Sequence, residues 1–228
     1  MNEKFHQAMP KTGRLAKNLN IKLESLTKRL VTFNKNTVYS YVVDTVEYHG
    51  GRLYQTGSGP NFQGDLITLC SCKHLMRTYL EPEAWDGVWV AGYTSSTELG
   101  SNRLFYLMRV SQAFESHREF WLSDCIPDEA KSAKAAHLDK FGDIYQPKRT
   151  SGRPYYYWHY YDPCKNHVHC ELGDWRKDID YKDRYGRRSA LLVGDVEYSF
   201  LWDRPGTEST SKIGRGQKKS TIGDLFHI

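Results

Sequence analysis

Several groupings of residues in this chain have the types and spacing for chemistry. Cys70 and Cys72 stand beside Lys73, His74 and Arg77. A thiolate nucleophile needs a cation or a base at hand, and this run supplies both. Cys72 is the candidate nucleophile, whereas Cys70 reads as a small core hydrophobe at a strand end. Lys73 and Arg77 stand one helical turn apart, where both would face one phosphate. Asp143 with Tyr145, and Asp195 with Glu197, supply carboxylates late in the chain. Converging carboxylates do acid–base or glycosidic chemistry, while Asp195 directly after Gly194 equally suits an ordinary turn. The candidate catalytic residues are therefore Asp143, Asp195 and Cys72, with no role fixed among them. The run Cys164-Lys165-Asn166-His167-Val168-His169-Cys170 gathers potential zinc ligands. Closed zinc sites join two separated half-motifs, and no second C-x-x-C half is present. Cys70 and Cys72 on one strand would point to opposite faces. Ordinary polar and core roles are preferred for the run, so neither a metal nor a cofactor is expected.

A second kind of chemistry is recognition. Aromatic residues make up 14% of the chain, with 16 Tyr and 6 Trp. Most belong to a β-rich core, and a few suit stacking on bases. The run Tyr155-Tyr156-Tyr157-Trp158-His159-Tyr160-Tyr161 has no binary alternation, so a strand there would be aromatic on both faces. One face would stack on bases or on the flanking Arg149, Arg153 and Arg176, or form an interface with a protein partner. Lys182-Asp183-Arg184-Tyr185-Gly186-Arg187-Arg188 interleaves basic and aromatic residues as nucleic-acid-binding loops do, and as solvated loops also do. The net charge of +5 is compatible with a polyanionic partner without requiring one. No Walker A loop, G-x-G-x-x-G, H-E-x-x-H or G-x-S-x-G is present. That argues against the common NTPase, dehydrogenase, zinc-protease and α/β-hydrolase classes.

These residues must be positioned by a scaffold. Leu15, Leu19, Ile21, Leu23, Leu26, Leu30 and Val31 recur at roughly helical spacing, so residues 1–36 read as an N-terminal helical extension. A first strand is expected over Thr37–Val43, followed by a long connection from Glu47 to Asp65. Leu66–Cys70 reads as a short strand entering a helical turn over Ser71–Thr78. Val88–Tyr93 and Leu104–Val110 read as a hairpin across the polar loop Thr94–Asn102. A helix is expected around Asp128–His137. A late strand pair is expected at Ala190–Val193 and Val196–Trp202, joined through Gly194 and Asp195. Residues 203–228 read as a flexible basic tail with a short helix near Asp224–Phe226. No run is apolar enough for a membrane span, no signal peptide is visible, and the 5 Cys suggest no disulfide framework. A cytoplasmic location without membrane partners is expected.

Taken in order, these elements resemble the second nucleotide-modification-associated domain family of bacteria and bacteriophages, found near predicted DNA- or RNA-modification genes. The residues that carry the resemblance are Tyr39-Ser40-Tyr41-Val42-Val43, then Thr68 to Lys73 with Arg77. They continue with Val88 to Tyr93, Leu104 to Val110 and Gly142-Asp143-Ile144-Tyr145. Leu191 to Asp195 with Tyr198 and Phe200 close a match over residues 37–202. Where the family has a compact Gly-Thr-Gly-Ser-like loop, this chain has Gly92-Tyr93-Thr94-Ser95. The hairpin block is also similar to base-reading pseudobarrels of the PUA, EVE and YTH type. The expected fold is α+β, a small, curved, PUA/EVE-like β-barrel with flanking helices.

The resemblance implies a role in nucleic-acid modification. The expected function is binding of DNA, RNA or a nucleotide, with a plain or modified base held in an aromatic pocket. Tyr39, Tyr41, Trp89 and Tyr93 would form the wall. Lys73, Arg77 and Arg109 would hold phosphate, Asp143 or Asp195 would bond a base edge, and Tyr145 joins the binding set. Two alternatives stand beside it. One is an enzyme acting on a nucleobase or nucleotide in a modification pathway. The other is an interaction module of a phage or defence complex.

Overall fold

The computed structural model describes residues 6–168, 175–208, 213 and 216–228. The chain divides into two compact units. The first comprises Met1–Thr56, Gly87–Val110 and Gly194–Ile228, and the second comprises Gly57–Asp86 and Ser111–Val193.

In the first unit the N-terminal extension forms two short helices, α1 (Gly13–Lys17) and α2 (Leu23–Leu30), rather than one. The break falls where Asn20 adopts φ 57°. There the Asn18 amide donates to the carbonyls of Glu197 and Ser199 at 3.2 and 3.0 Å. These bonds span 179 and 181 positions of the chain and tie the end of α1 to a late strand segment. β1 (Thr37–Val43) forms where expected, from a β-branched and aromatic run. The long connection after it is not structureless. It folds as a hairpin of β2 (Val46–His49) and β3 (Arg52–Gln55). Gly50 and Gly51 turn it with φ of 58° and 80°, the signature of a two-glycine hairpin turn.

β4 (Thr68–Leu69) and α3 (His74–Arg77) follow in the second unit. β5 (Trp89–Thr94) and β6 (Leu104–Phe114) then form the expected antiparallel hairpin, with a register shift at Gly92/Tyr93. Their connection holds a single helical turn, α4 (Ser96–Leu99), capped by the Ser95 hydroxyl. The second unit adds α5 (His117–Leu122), α6 (Asp128–Ala133) and α7 (Trp175–Asp180). The aromatic run Tyr155–Tyr161 forms no strand but a 3₁₀ turn at Tyr157–His159 and an isolated bridge from Tyr160 to Pro147.

The expected late strand pair is one continuous strand, β7 (Leu191–Leu201). Gly194 and Asp195 lie inside it. The Asp195 carboxylate caps the Glu197 amide at 2.8 Å without turning the chain. The tail carries β8 (Gln217–Thr221) and α8 (Ile222–Phe226).

The strands form a sheet ordered β4-β7-β6-β5-β1-β8, beside the separate β2-β3 hairpin. β1 runs parallel to β5 and antiparallel to β8. The sheet therefore has ends at β4 and β8, and no closed barrel forms among the described residues. The expected mixture of helices and strands is present as an open mixed sheet, without the PUA/EVE-like closure. The hairpin block supplied barrel-like strands, but β1 spends its outer edge on β8. No described helix is long and apolar enough to cross a membrane.

The core of the first unit alternates with strand period. Trp89, Ala91 and Tyr93 of β5 pack with Val38 and Val42 of β1 against Leu26 and Leu30 of α2. On the opposite face Tyr41 and Tyr106 share a hydroxyl contact at 2.8 Å. Gly92 leaves room for the Tyr106 ring: a Cβ there would lie 2.2 Å from it.

Candidate functional site

The second unit is organised around α3. This helix is one turn long, yet its polar side chains reach several distant segments. Arg77 is fully buried, and its guanidinium is spent on main-chain carbonyls. It donates to Cys72, Ala190 and Cys70 at 2.8, 2.5 and 2.8 Å. The adjoining Thr78 hydroxyl shares its one proton between Leu75 O at 2.9 Å and the Asp183 carboxylate at 3.3 Å. His74 reaches α7. Its Nε2 lies 2.7 Å from the Asp178 carboxylate, with the imidazole 19% exposed and the carboxylate fully shielded.

Asp178 is the centre of a polar array. Besides His74, its carboxylate accepts a 2.8 Å hydrogen bond from the Tyr145 hydroxyl. That hydroxyl lies 3.4 Å from His167 Nε2. The main chain at Asp178 and Tyr145 fixes a further imidazole. His117 Nδ1 accepts from the Tyr145 amide and Nε2 donates to the Asp178 carbonyl, both at 3.3 Å. A ring that accepts at one nitrogen and donates at the other is the neutral tautomer. Burial accordingly pulls the His117 pKa down to about 3. Burial, and then the Asp178 charge, pushes the Tyr145 phenol well above its usual range. Tyr181 stacks on His74 at 4.9 Å. A buried carboxylate that orients a partly exposed imidazole is the geometry of a positioned general base.

A cleft with a volume of about 250 Å³ lies in the same unit. Its walls come from the segment before Ala190, from Glu81 and Pro82, and from Glu115 and Tyr155. The Arg188 guanidinium lies 3.4 Å from the centroid of the Tyr155 ring. Its NH1 is shielded from solvent and has no hydrogen-bond partner among the described residues. The Tyr155 hydroxyl donates to Glu115 at 3.1 Å, and burial followed by the Glu115 charge raises its pKa. Lys182 and Arg187 add positive charge to the lining, while Glu81 and Glu115 add acceptors. The α3 helix fixes this wall directly, since Arg77 and Ala190 bond reciprocally through Arg77 NH1 to Ala190 O and Ala190 N to Arg77 O.

A third cluster is buried beneath β4. Lys134 Nζ donates to Asn61 Oδ1, Asn61 O and Leu66 O at 2.9, 3.2 and 2.8 Å. Thr68 donates to Asp143 at 2.8 Å. Burial pulls Lys134 down to about 8 and pushes Asp143 up to about 6, their mutual attraction opposing both shifts. Burial, and then the Asp143 charge, raises the Cys70 thiol well above its usual value. The cluster is closed to solvent and clamps the segment before β4, so Asp143 serves as a buried structural charge.

The sequence-expected residues are thus dispersed. Tyr39 and Tyr41 lie on one face of β1, while Trp89 and Tyr93 belong to the core on the other. All of these rings are buried. They form no common pocket wall in this structure, because the sheet packs on both faces. Arg77 holds carbonyls, so the phosphate role corrects to an internal clamp. Lys73 caps α3 in a left-handed conformation, φ 53°, and its carbonyl accepts from the Arg77 amide at 3.1 Å, while the Arg77 guanidinium turns inward to other carbonyls. Arg109 and Asp195 meet in the first unit at 3.4 Å as a partly exposed ion pair. Cys72 lies beside Gly59, where a Cβ would come within 2.7 Å of its sulfur. Cys72 and Asp143 belong to the second unit, and Asp195 to the first, where its carboxylate is paired with Arg109. Tyr145 does enter a site, through Asp178. Of the cysteine–histidine run, His169 and Cys170 lie outside the described residues. Among the described residues, no three His, Cys, Asp or Glu side chains gather as metal ligands.

Asp178 and His117 escaped the sequence reading. A signal for Asp178 existed: it shares the buried face of α7 with Trp175 and Ile179, and an acid on such a face requires partners.

Comparison with curated proteins and with solved structures finds no significant match for this chain. Comparison with protein families finds one over residues 35–179, more than half of the chain, under the description nucleotide modification associated domain 2. That interval begins just before β1 and ends within α7, taking in α3, Tyr145 and Asp178. The chain therefore belongs to the nucleotide modification associated domain 2 family.

Proposed function

We propose that this protein binds a nucleotide unit, plain or modified, in the cleft walled by Tyr155 and Arg188, as part of nucleotide modification. The observation that carries the reading is the Arg188 guanidinium 3.4 Å from the Tyr155 ring centroid, its NH1 shielded and unpaired among the described residues. A guanidinium plane backed by an aromatic ring is a stacking platform for a base. Glu115 and Glu81 can accept from exocyclic amino groups, and Lys182 and Arg187 supply charge for phosphate. This moves the aromatic recognition site from the β1–β5 strands to the second unit.

The test is titration of a labelled oligonucleotide and of a nucleoside monophosphate. Tyr155→Ala and Arg188→Ala should each weaken binding by about tenfold or more, the loss of one stacking platform. Tyr155→Phe should retain most of the affinity. Binding unchanged in the alanine variants, or no binding by the wild-type protein, would overturn the reading.

A second reading is an enzyme acting on a nucleobase or nucleotide. It is favoured by one observation: Asp178, fully shielded, joins His74 at 2.7 Å and Tyr145 at 2.8 Å. In this reading His74 moves the proton and Asp178 orients the ring. Incubation with nucleotide substrates should change a nucleoside mass, and Asp178→Asn should abolish the change. Turnover that persists in Asp178→Asn assigns the chemistry elsewhere.

A further inference from the structure

Beside the cleft, the chain from Asp183 to Arg187 forms a tight loop closed by a bridge between Lys182 and Arg188. Asp183 holds it from within. Its carboxylate accepts from the amides of Tyr185 and Arg187, each at 2.9 Å, and from Arg187 Nε at 2.9 Å. The Asp183 amide in turn donates to Arg187 O at 2.9 Å, and Thr78 fastens the carboxylate to α3. These bonds hold the carboxyl below its usual value even though burial pushes the other way. So short a loop gains a fixed shape from one carboxylate with this many donors.

What the loop displays is unusual for a merely solvated turn. Tyr185 is 68% exposed, the most open of the large hydrophobic side chains among the described residues. The guanidiniums of Arg184 and Arg187 lie 4.7 and 5.4 Å from its ring centroid. Lys182 and Arg188, at the loop's two ends, also line the cleft, whereas Arg184 and Tyr185 do not. The basic and aromatic groups therefore continue outward from the cleft along one rigid support.

We propose that this loop is a docking surface for single-stranded nucleic acid, so that the unit in the cleft is read as part of a strand rather than as a free nucleotide. The inference rests on the cleft reading above. Phosphates flanking the bound unit would meet Arg184 and Lys182, and a neighbouring base would lie against the exposed Tyr185 and its guanidiniums. A single strand is favoured over a duplex because stacking on a ring requires an unpaired, exposed base face. DNA and RNA strands share this chemistry.

The experiment compares a nucleoside monophosphate, short single strands of DNA and of RNA of one sequence, and the corresponding DNA duplex, by fluorescence anisotropy and competition. The wild-type protein should bind at least one of the single strands about tenfold or more tighter than the monophosphate and than the duplex. Tyr185→Ala and Arg184→Ala should remove most of that gain and leave monophosphate binding unchanged. Arg184→Ala should also reduce the salt dependence by about 0.7 in log–log slope, one phosphate contact on a single strand. The better of the two single strands identifies the sugar. A monophosphate that binds as tightly as both strands, strand affinity untouched by both variants, or equal affinity for the duplex would overturn the proposal. In those cases the cleft reading still stands if Arg188→Ala weakens monophosphate binding. If no probe binds, both fail.

Discussion

His117 shows how a single residue ties the array around Asp178 to solution pH. Its Nδ1 accepts from a main-chain amide and its Nε2 donates to a carbonyl, so the folded ring cannot take a second proton without breaking a bond. The folded pKa, about 3, lies below the ordinary value of 6.5. Between those values the unfolded chain binds a proton that the native chain does not. Stability from this group is therefore complete above pH 6.5 and is lost as pH falls toward 3, with a limiting slope of about 1.4 kcal/mol per pH unit. Asp143 acts in the opposite sense. Its folded pKa is raised from 3.8 to about 6, so its contribution is fully present below 3.8 and is lost as pH rises through 6. Lys134, lowered to about 8, titrates outside this window. His117→Asn keeps an acceptor for the Tyr145 amide and removes the titration. Chemical denaturation from pH 7 to 4 should therefore show the wild-type advantage over His117→Asn shrinking as pH falls. Parallel stability curves would refute the assignment. None of this was legible in the sequence, where His117 is one histidine beside a serine and an arginine. A histidine's neighbours in space, not in the chain, decide whether it is neutral.

At the scale of elements, legibility followed burial. β1, β5 and β6 are read correctly from sequence because sheet packing demands β-branched and aromatic runs, and their residues are almost entirely interior. The same burial misplaces the expected pocket: the rings of Trp89 and Tyr93 that looked available for stacking are what the sheet uses to pack on α2. β8 carries no strand signal, for the converse reason. Gln217-Lys218-Lys219-Ser220-Thr221 is a polar edge strand, and lysines on an edge guard against further pairing while erasing the apolar signal of a strand. α3 reads as a helical turn in the sequence, but its polar roles are the inverse of those expected. Arg77 looked like a phosphate ligand because cations at helical spacing can share an anion. Yet a fully buried guanidinium needs acceptors, and here those are the carbonyls of Cys70, Cys72 and Ala190. The cleft follows from that clamp, since Ala190 ends the segment that presents Arg188. Tyr155 and Arg188 were each visible in sequence, but 33 positions separate them, and no local pattern announces a contact of 3.4 Å.

At the scale of the whole chain, the boundaries read from sequence and those of the structure differ in kind. Composition suggested consecutive pieces: an extension, a domain and a tail. The compact units are instead assembled from separated segments, and the first closes only when Gly194–Ile228 joins Met1–Thr56 and Gly87–Val110. Residues 217–228 of the basic C-terminal segment are therefore structural within that unit. β8 pairs with β1 from Thr37↔Thr221 to Tyr41↔Gln217. Thr221 and Asp224 form a reciprocal cap on α8. The amides of Ile222 and Gly223 donate to Asn36 O and Asn34 O at 3.0 and 2.7 Å, and the Ile222 side chain is fully buried. Deleting residues 217–228 removes that ladder, opens the edge of β1 and exposes the contacts of Ile222. Burial of one such side chain alone contributes about 1.5–3 kcal/mol, and an unpaired β-branched edge invites self-association. The truncated chain should unfold at a clearly lower denaturant concentration than the full chain and scatter light at concentrations where the full chain does not. A mobile tail predicts the opposite, an unchanged midpoint and no association, so one denaturation series with light scattering separates the two. The result also bears on the strand proposal: if these lysines are bound into the first unit's sheet edge, removing them acts through stability. A truncated chain that still folds keeps Arg184 and Tyr185, so its strand binding should persist.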